Sequence, residues 1–182
     1  MLDGLTPVGV RKIQFLSGID EKVAAAPVSK PNPELENKIS RALKDPDSQF
    51  GFDVGSDEAI LSSPSIGKIV DAVLKNENTA LALGVGINKI FRNLPRSNKM
   101  FNRVLQNSDT YLAAGVGGNE DIINSPRVNE LVTHVLQAPY STLGGGIGKN
   151  EHLEKFPQAT LLYALAVRYP DSPLASGFGI KG

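Results

Sequence analysis

Five glycines fall 31 residues apart without slippage: Gly55, Gly86, Gly117, Gly148 and Gly179. Pro33, Pro64, Pro95, Pro126 and Pro157 keep the same interval. Between them recur Val73-Leu74, Val104-Leu105, Val135-Leu136 and Ala166-Val167, and Leu81, Leu112, Leu143 and Leu174 hold the same beat. Self-similarity at a fixed period of this size marks a stacked-repeat architecture. One such unit cannot bury its own apolar face, but stacked neighbours can.

The stretch from Gly117 to Ile147 shows how one period is built. Asn119 shares a column with Asp57, Asn88 and Asn150. Asn and Asp are strong helix N-caps, because the side-chain oxygen accepts a bond from an orphan backbone N–H. A short helix of about two turns is expected to follow, with Ile122 facing inward like Ile60, Phe91 and Leu153. Pro126 suits the first turn of a second helix, where a missing N–H costs nothing. That helix is predicted from about Pro126 to Gln137, with Val128, Leu131, Val132, Val135 and Leu136 on one face. One period earlier the same face holds Met100, Phe101, Val104 and Leu105, although Ser97 breaks the register.

A polar turn comes next, at Asp47-Ser48, Asn78-Thr79, Asp109-Thr110 and Asp171-Ser172. Such pairs make local turns and caps. A single helical turn of α or 3₁₀ type is expected after them, with Phe50, Leu81, Leu112, Leu143 and Leu174 pointing into the core. Gly84, Gly115 and Gly146 are expected to end it in the left-handed conformation.

No segment alternates with period two over a strand's length, so the fold class is all-α: a solenoid of about five tandem 31-residue helical repeats. Residues 1–32 read as an N-terminal segment and linker. Residues 33–182 read as the helical-repeat solenoid, with 33–54 a partial capping repeat and 55–85, 86–116, 117–147 and 148–178 full repeats. Lys38 stands where later periods carry an inward apolar residue, as suits a cap.

Composition narrows the functional classes. With no Cys there are no disulfides, thiol nucleophiles or thiolate metal sites. Lys plus Arg equals Asp plus Glu, 19 against 19, so no global field favours nucleic acid or an anionic membrane. No stretch approaches the ~18 apolar residues of a membrane span, and no signal peptide is visible. The expected location is the cytoplasm or the interior of a macromolecular assembly, without membrane insertion.

Catalytic and cofactor motifs are weak. Gly84-Val85-Gly86 and Gly115-Val116-Gly117 imitate part of a dinucleotide fingerprint, but recur between helices without the preceding strand. Gly146-Ile147-Gly148-Lys149-Asn150 imitates a phosphate loop, yet Leu143 replaces its first glycine and Asn150 its magnesium-binding hydroxyl. His134 and His152 occupy different columns and read as surface histidines. We expect no catalytic residue, metal ligand or cofactor, and no enzymatic activity.

Helical repeats of similar length also bind nucleic acid. In unit length and two-helix build the period resembles mitochondrial transcription termination factor repeats and TAL-effector repeats. The former share a proline in the unit, whereas the internal spacings differ and the paired specificity residues of TAL repeats are not visible. That resemblance implies Lys89, Arg92, Arg96, Lys99 and Arg103 as the nucleic-acid contacts. The next period turns acidic with Glu120, Asp121 and Glu130, which interrupts the basic stripe a phosphate-tracking groove needs.

The last period departs from the rest. Leu161 stands in the column of Lys68, Lys99 and Glu130, Leu165 in that of Ala72, Arg103 and His134, and Tyr169 in that of Asn76, Asn107 and Ala138. Spaced i, i+4, i+8, the three form a stripe on a face that is polar elsewhere. A terminal repeat is normally polar outside, so Leu161, Leu165 and Tyr169 are expected to be a partner interface. The cover is another protein, a second copy, or Val8 to Phe15 of the same or a neighbouring chain. Head-to-tail stacking is one expected route, since the chain stops at Gly179-Ile180-Lys181-Gly182 as a next repeat would begin. The function read from these features is a non-catalytic structural or adaptor component of a larger assembly, with helical-repeat nucleic-acid binding as the alternative.

Overall fold

The computed structural model of the protein describes residues 32–181. Among them there are α-helices and 3₁₀ helices and no strand. The α-helices are α1 (Pro33–Lys44), α2 (Gln49–Ser56), α3 (Glu58–Leu61), α4 (Ile66–Lys75), α5 (Ala80–Ile87), α6 (Ser97–Gln106), α7 (Tyr111–Gly118), α8 (Val128–Gln137), α9 (Thr142–Gly148), α10 (Ala159–Arg168) and α11 (Pro173–Gly177). The 3₁₀ helices are Lys89–Asn93, Glu120–Asn124 and Leu153–Lys155.

Helices α4, α6, α8 and α10 begin 31 residues apart, and each is 10 residues long. Their inward faces follow the apolar spacing, burying Ile69, Val70 and Val73, then Met100, Phe101 and Val104, then Leu131, Val132 and Val135. Leu105 and Leu136 lie at the edge of this face and are half-buried. The prolines sit before these helices rather than in their first turn. Each is the second residue of a reverse turn closed by Ile66 N–H to Ser63 O (3.1 Å), Ser97 to Leu94 (3.1 Å), Val128 to Ser125 (3.1 Å) and Ala159 to Phe156 (3.2 Å). A fixed φ near −65° suits that position. The third turn residue takes two forms: Ser65 and Arg127 have negative φ, whereas Arg96 and Gln158 have φ 59°.

The segment expected to be a two-turn helix is shorter. It is α3 in the first case and 3₁₀ thereafter, because only five residues separate the Asx cap from the reverse turn. Conversely, the expected single turn is a helix of eight residues in α2, α5 and α7. A buried hydroxyl caps each later one: Thr79 accepts from Ala82 N–H, Thr110 from Ala113, Ser141 from Gly144 and Ser172 from Ala175, at 3.1 to 3.2 Å.

Gly84, Gly115 and Gly146 therefore lie inside helices and do not terminate them; the one described glycine with positive φ is Gly179. Their role is close approach. Helix α2 packs on α5, α5 on α7, α7 on α9 and α9 on α11. A Cβ on Gly117 would lie 2.6 Å from Leu143 O, and one on Gly86 would lie 2.8 Å from Leu112 O. Gly84, Gly115 and Gly146 face the other way, each against a backbone carbonyl of the preceding helix: Phe52, Leu83 and Ala114. Residues i and i+2 are about 200° apart around a helix. The Gly-x-Gly spacing thus gives one helix two smooth spots on opposite sides, one for each neighbour. Gly55 meets Gly84, Gly86 meets Gly115, Gly117 meets Gly146, and Gly148 meets Gly177.

The Asx column binds successive periods together. Asn88, Asn119 and Asn150 each accept from the N–H two residues on, as caps. Each also donates its amide backwards: Asn88 to Ser56 O (2.8 Å), Asn119 to Gly86 O (2.9 Å) and Asn88 O (2.7 Å), and Asn150 to Gly117 O (3.0 Å) and Asn119 O (2.9 Å). Asp57 has no amide to donate and acts as a cap alone, accepting from Ala59 and Ile60. Further bonds run from Leu81 N–H to Pro46 O, Leu112 to Glu77 and Leu143 to Ser108, at 2.8 to 3.0 Å. The core lies between the glycine helices and the longer helices, with Phe91 and Ile122 of the 3₁₀ turns fully buried in it.

Candidate interaction site at the C-terminal end

Of the three residues in the sequence-derived stripe, only Leu161 is open, at 53% exposure. Leu165 is half-buried against the core. Tyr169 is half-buried, its ring edge-on to Tyr140 at 6.0 Å and beneath the Arg168 guanidinium at 5.5 Å. Two further residues of α10 are as open as Leu161: Tyr163 at 55% and Val167 at 53%.

Comparison by column explains why Tyr163 and Val167 are open. Tyr163 occupies the position of Val70, Phe101 and Val132, all buried. Val167 occupies that of Leu74, Leu105 and Leu136, all packed against the core. Leu153 and Phe178 are half-buried where Phe91 and Ile122, and Val85, Val116 and Ile147, are fully buried. These positions face the following period, and beyond α11 no described period follows. The phenol ring of Tyr163 stands edge-on to Phe178 at 5.7 Å. Leu153, Glu154, Ala159, Tyr163 and Phe178 line a cleft of about 340 Å³ there. This set was legible in the sequence only by asking which inward columns lose their cover at the last period; the polar-to-apolar switch at Leu161 drew attention to the outer face instead.

The opposite end is polar. Lys38 is exposed and lies 3.3 Å from Glu34, and Arg41 is stacked over the Phe50 ring at 4.2 Å. In α2 the position that is glycine in α5, α7, α9 and α11 is Asp53, which is exposed. Val8 to Phe15, the proposed internal cover, lies outside the described residues.

A second apolar concavity of about 370 Å³ runs along the glycine helices. Ala114 and Gly145 replace Leu83 on its floor, and Gly118 replaces Ile87, which is 40% exposed at its rim. Gly118 is not required by packing, since a Cβ there would meet its nearest atoms at 3.8 and 3.9 Å.

The basic set is largely engaged within the fold. Lys89 lies 3.4 Å from Glu120, Arg92 donates to Asn124 O at 2.8 Å, Arg96 pairs with Asp71, and Arg103 lies 3.4 Å from Glu77. Lys99 is exposed. One more ion pair and one arginine–amide bond also link successive periods. Glu36 accepts from Lys68 (2.8 Å) and from the Ser65 hydroxyl, and these bonds hold its carboxyl below the usual range. Arg127 forks onto Glu130 (3.0 and 2.7 Å) and reaches back to Asn102 (2.9 Å). The fork lowers the Glu130 pKa and raises that of Arg127.

His134 is half-buried beside Leu105, Glu130 and Gln137, and His152 is half-buried near the Asn150 cap. Among the described residues no three His, Asp or Glu side chains gather in a metal-holding group. Among the same residues no helix is long and apolar enough to cross a membrane. Comparison of the chain with known protein families, with characterised proteins and with solved structures finds no match.

Proposed function

We propose that this chain is a solenoid of about five tandem 31-residue repeats, serving as a non-catalytic structural or adaptor component of a larger protein assembly. Residues 33–54 form its capping repeat, and 55–85, 86–116, 117–147 and 148–178 its full repeats; its place is the cytoplasm or the assembly itself. The observation that carries this reading is the contrast between the two ends. A free-standing stack of repeats is polar on both terminal faces. This one is polar at Lys38, Arg41 and Asp53 and apolar at Tyr163 and Val167, with Leu161 open on the outer face of the same helix. An apolar patch on an otherwise polar surface marks an interaction site.

Nucleic-acid binding is the weaker reading. Four of its five basic residues already have partners within the fold, and a guanidinium held by a carboxylate is less available to a phosphate. The test is the native mass of the particle containing the chain in its own cell extract, beside a titration of the purified chain with DNA and RNA at low salt. A particle much heavier than 19.4 kDa, reduced by Tyr163→Glu, with no salt-sensitive nucleic-acid binding, is the expected result. Salt-sensitive binding lost on mutating Lys99 and Arg103 would establish the alternative.

A further inference from the structure

We infer that the seam between the 86–116 and 117–147 periods binds one small tetrahedral oxyanion: a phosphate group, free or at the end of a small phosphomonoester. The inference stands apart from the assembly reading, and its failure leaves that reading untouched. Three columns that line this seam are apolar on either side of it. In the seam before they hold Leu61, Ile66 and Leu94, and in the seam after Ile123, Val128 and Phe156, all buried or packed against the core. In the seam between they hold Arg92, Ser97 and Ser125. The break in register at Ser97 is therefore one of three polar replacements that fall together. All three residues line a single cavity of about 200 Å³, which Arg127 lines as well.

The donors select the ligand. Arg92 donates from Nη1 to Asn124 O at 2.8 Å, but its Nε–H is shut off from solvent with no acceptor among the described residues. A buried donor without a partner bears the full cost of its desolvation. Leu61 and Ile123 fill the same column without that cost, so packing does not call for a guanidinium here. Nε and Nη2 form the edge of a guanidinium that takes an oxyanion through two parallel bonds. Arg127 cannot serve in its place, because Glu130 occupies its fork. Hydroxyls come from two other elements. Ser97 opens α6, and Ser125 accepts from Arg127 N–H while keeping its own hydrogen to donate. Donors drawn from a 3₁₀ turn, a helix start and a reverse turn suit a group with oxygens on several sides better than a flat carboxylate. Among the described residues no carboxylate lines the cavity. Its volume is several times the ~30 Å³ of one water molecule, room for a phosphate group and little beyond it. A nucleic-acid track would need such donors at each seam, and the two neighbouring seams are apolar.

Isothermal titration calorimetry of the purified full chain with sodium phosphate, at an ionic strength fixed by chloride, reads the site. One phosphate per chain is expected, with a dissociation constant on the order of 1 mM or below. Arg92→Leu and Ser97→Val install residues of the kind the neighbouring seams carry, so the helical circular dichroism should be kept. Arg92→Leu should weaken binding at least about tenfold and Ser97→Val about threefold. Lys99→Leu removes an exposed charge outside the cavity and should change nothing. Glycerol phosphate is the second arm: bound more tightly than phosphate it assigns an ester, bound more weakly the free ion. No saturation by about 10 mM phosphate, binding indifferent to Arg92→Leu, or binding weakened as much by Lys99→Leu would overturn the site. If Arg92→Leu loses its helical signal, Ser97→Val decides, and unchanged binding there overturns the site. Acetate bound as tightly as phosphate would overturn the choice of a tetrahedral anion. An oligonucleotide bound more tightly than phosphate, with a steep salt dependence, would put the nucleic-acid reading in its place.

Discussion

Glycine to alanine in a helix should change sign between two positions of this chain. At Gly117 a Cβ would lie 2.6 Å from Leu143 O and 2.8 Å from Ile147 N, both backbone atoms of α9 that no side-chain rotation can move. Ordinary contact begins near 3.4 Å, so α9 must retreat by about 0.8 Å. A gap of that size forfeits a quarter to a half of each contact it opens. The neighbours affected are fully buried, among them Val116, Leu143 and Ile147. The same shift strains the Asn150 amide bond to Gly117 O. Overpacking of this kind costs about 1–3 kcal/mol or more, against a helix-propensity gain of about 1 kcal/mol. Gly117→Ala should destabilise by up to about 2 kcal/mol net. At Gly67 in α4 nothing lies within 4 Å of the added carbon. Gly67→Ala should therefore stabilise by about 0.5–1 kcal/mol. Urea denaturation followed by far-UV circular dichroism measures both. Midpoints moving in the same direction would refute the backbone contact between α7 and α9.

Asn119→Asp keeps the cap oxygen but turns the donated amide into a carboxylate facing Gly86 O and Asn88 O; it should cost about 2–4 kcal/mol near neutral pH and less in acid, read by the same denaturation curves. Gln158→Gly relieves a left-handed residue that makes no cap bond; it should raise stability by about 0.5–1 kcal/mol, and an unchanged or lower midpoint would speak against strain there. Glu36 has a folded pKa below its ordinary value of 4.5 because Lys68 and Ser65 bond its carboxylate. Its contribution is thus present above the unfolded pKa and lost as pH falls through the lower folded one. Wild type should lose more stability than Glu36→Gln between neutral pH and the region below 4.5, and equal losses would contradict the pairing.

The parts of this fold that were legible in the sequence depend on local chemistry. Amphipathic spacing located α6 and α8, and the Ser/Thr column located the caps of α2, α5, α7 and α11. What misled was glycine. Leu81-Ala-Leu-Gly-Val-Gly-Ile87 reads as a helix about to end, because glycine is a poor helix former. The helix persists because the neighbouring backbones leave no room for anything else, and that contact is 29 residues away, between Gly55 and Gly84. The Asx column was half legible: the cap oxygen acts locally, whereas the amide of Asn119 bonds a carbonyl 33 residues back. At the candidate site, Leu161 was visible as a polar column turned apolar. Tyr163 and Val167 were hidden, since an apolar residue in an inward column looks ordinary until the cover is missing.

The glycine contacts also govern how this molecule can deform. Along α2, α5, α7, α9 and α11 backbone touches backbone, with no side chain between to rotate or yield. The longer helices touch one another far less and meet through flexible groups such as Arg127 over the Phe101 ring. A contact between backbones cannot be relieved by a change of rotamer, whereas a flexible side chain such as Arg127 has other rotamers to take. The chain is accordingly bound like a book, stitched along one edge and free to fan along the other. Bending is therefore expected to separate the longer helices before the glycine helices, which cross-links placed along either edge would test.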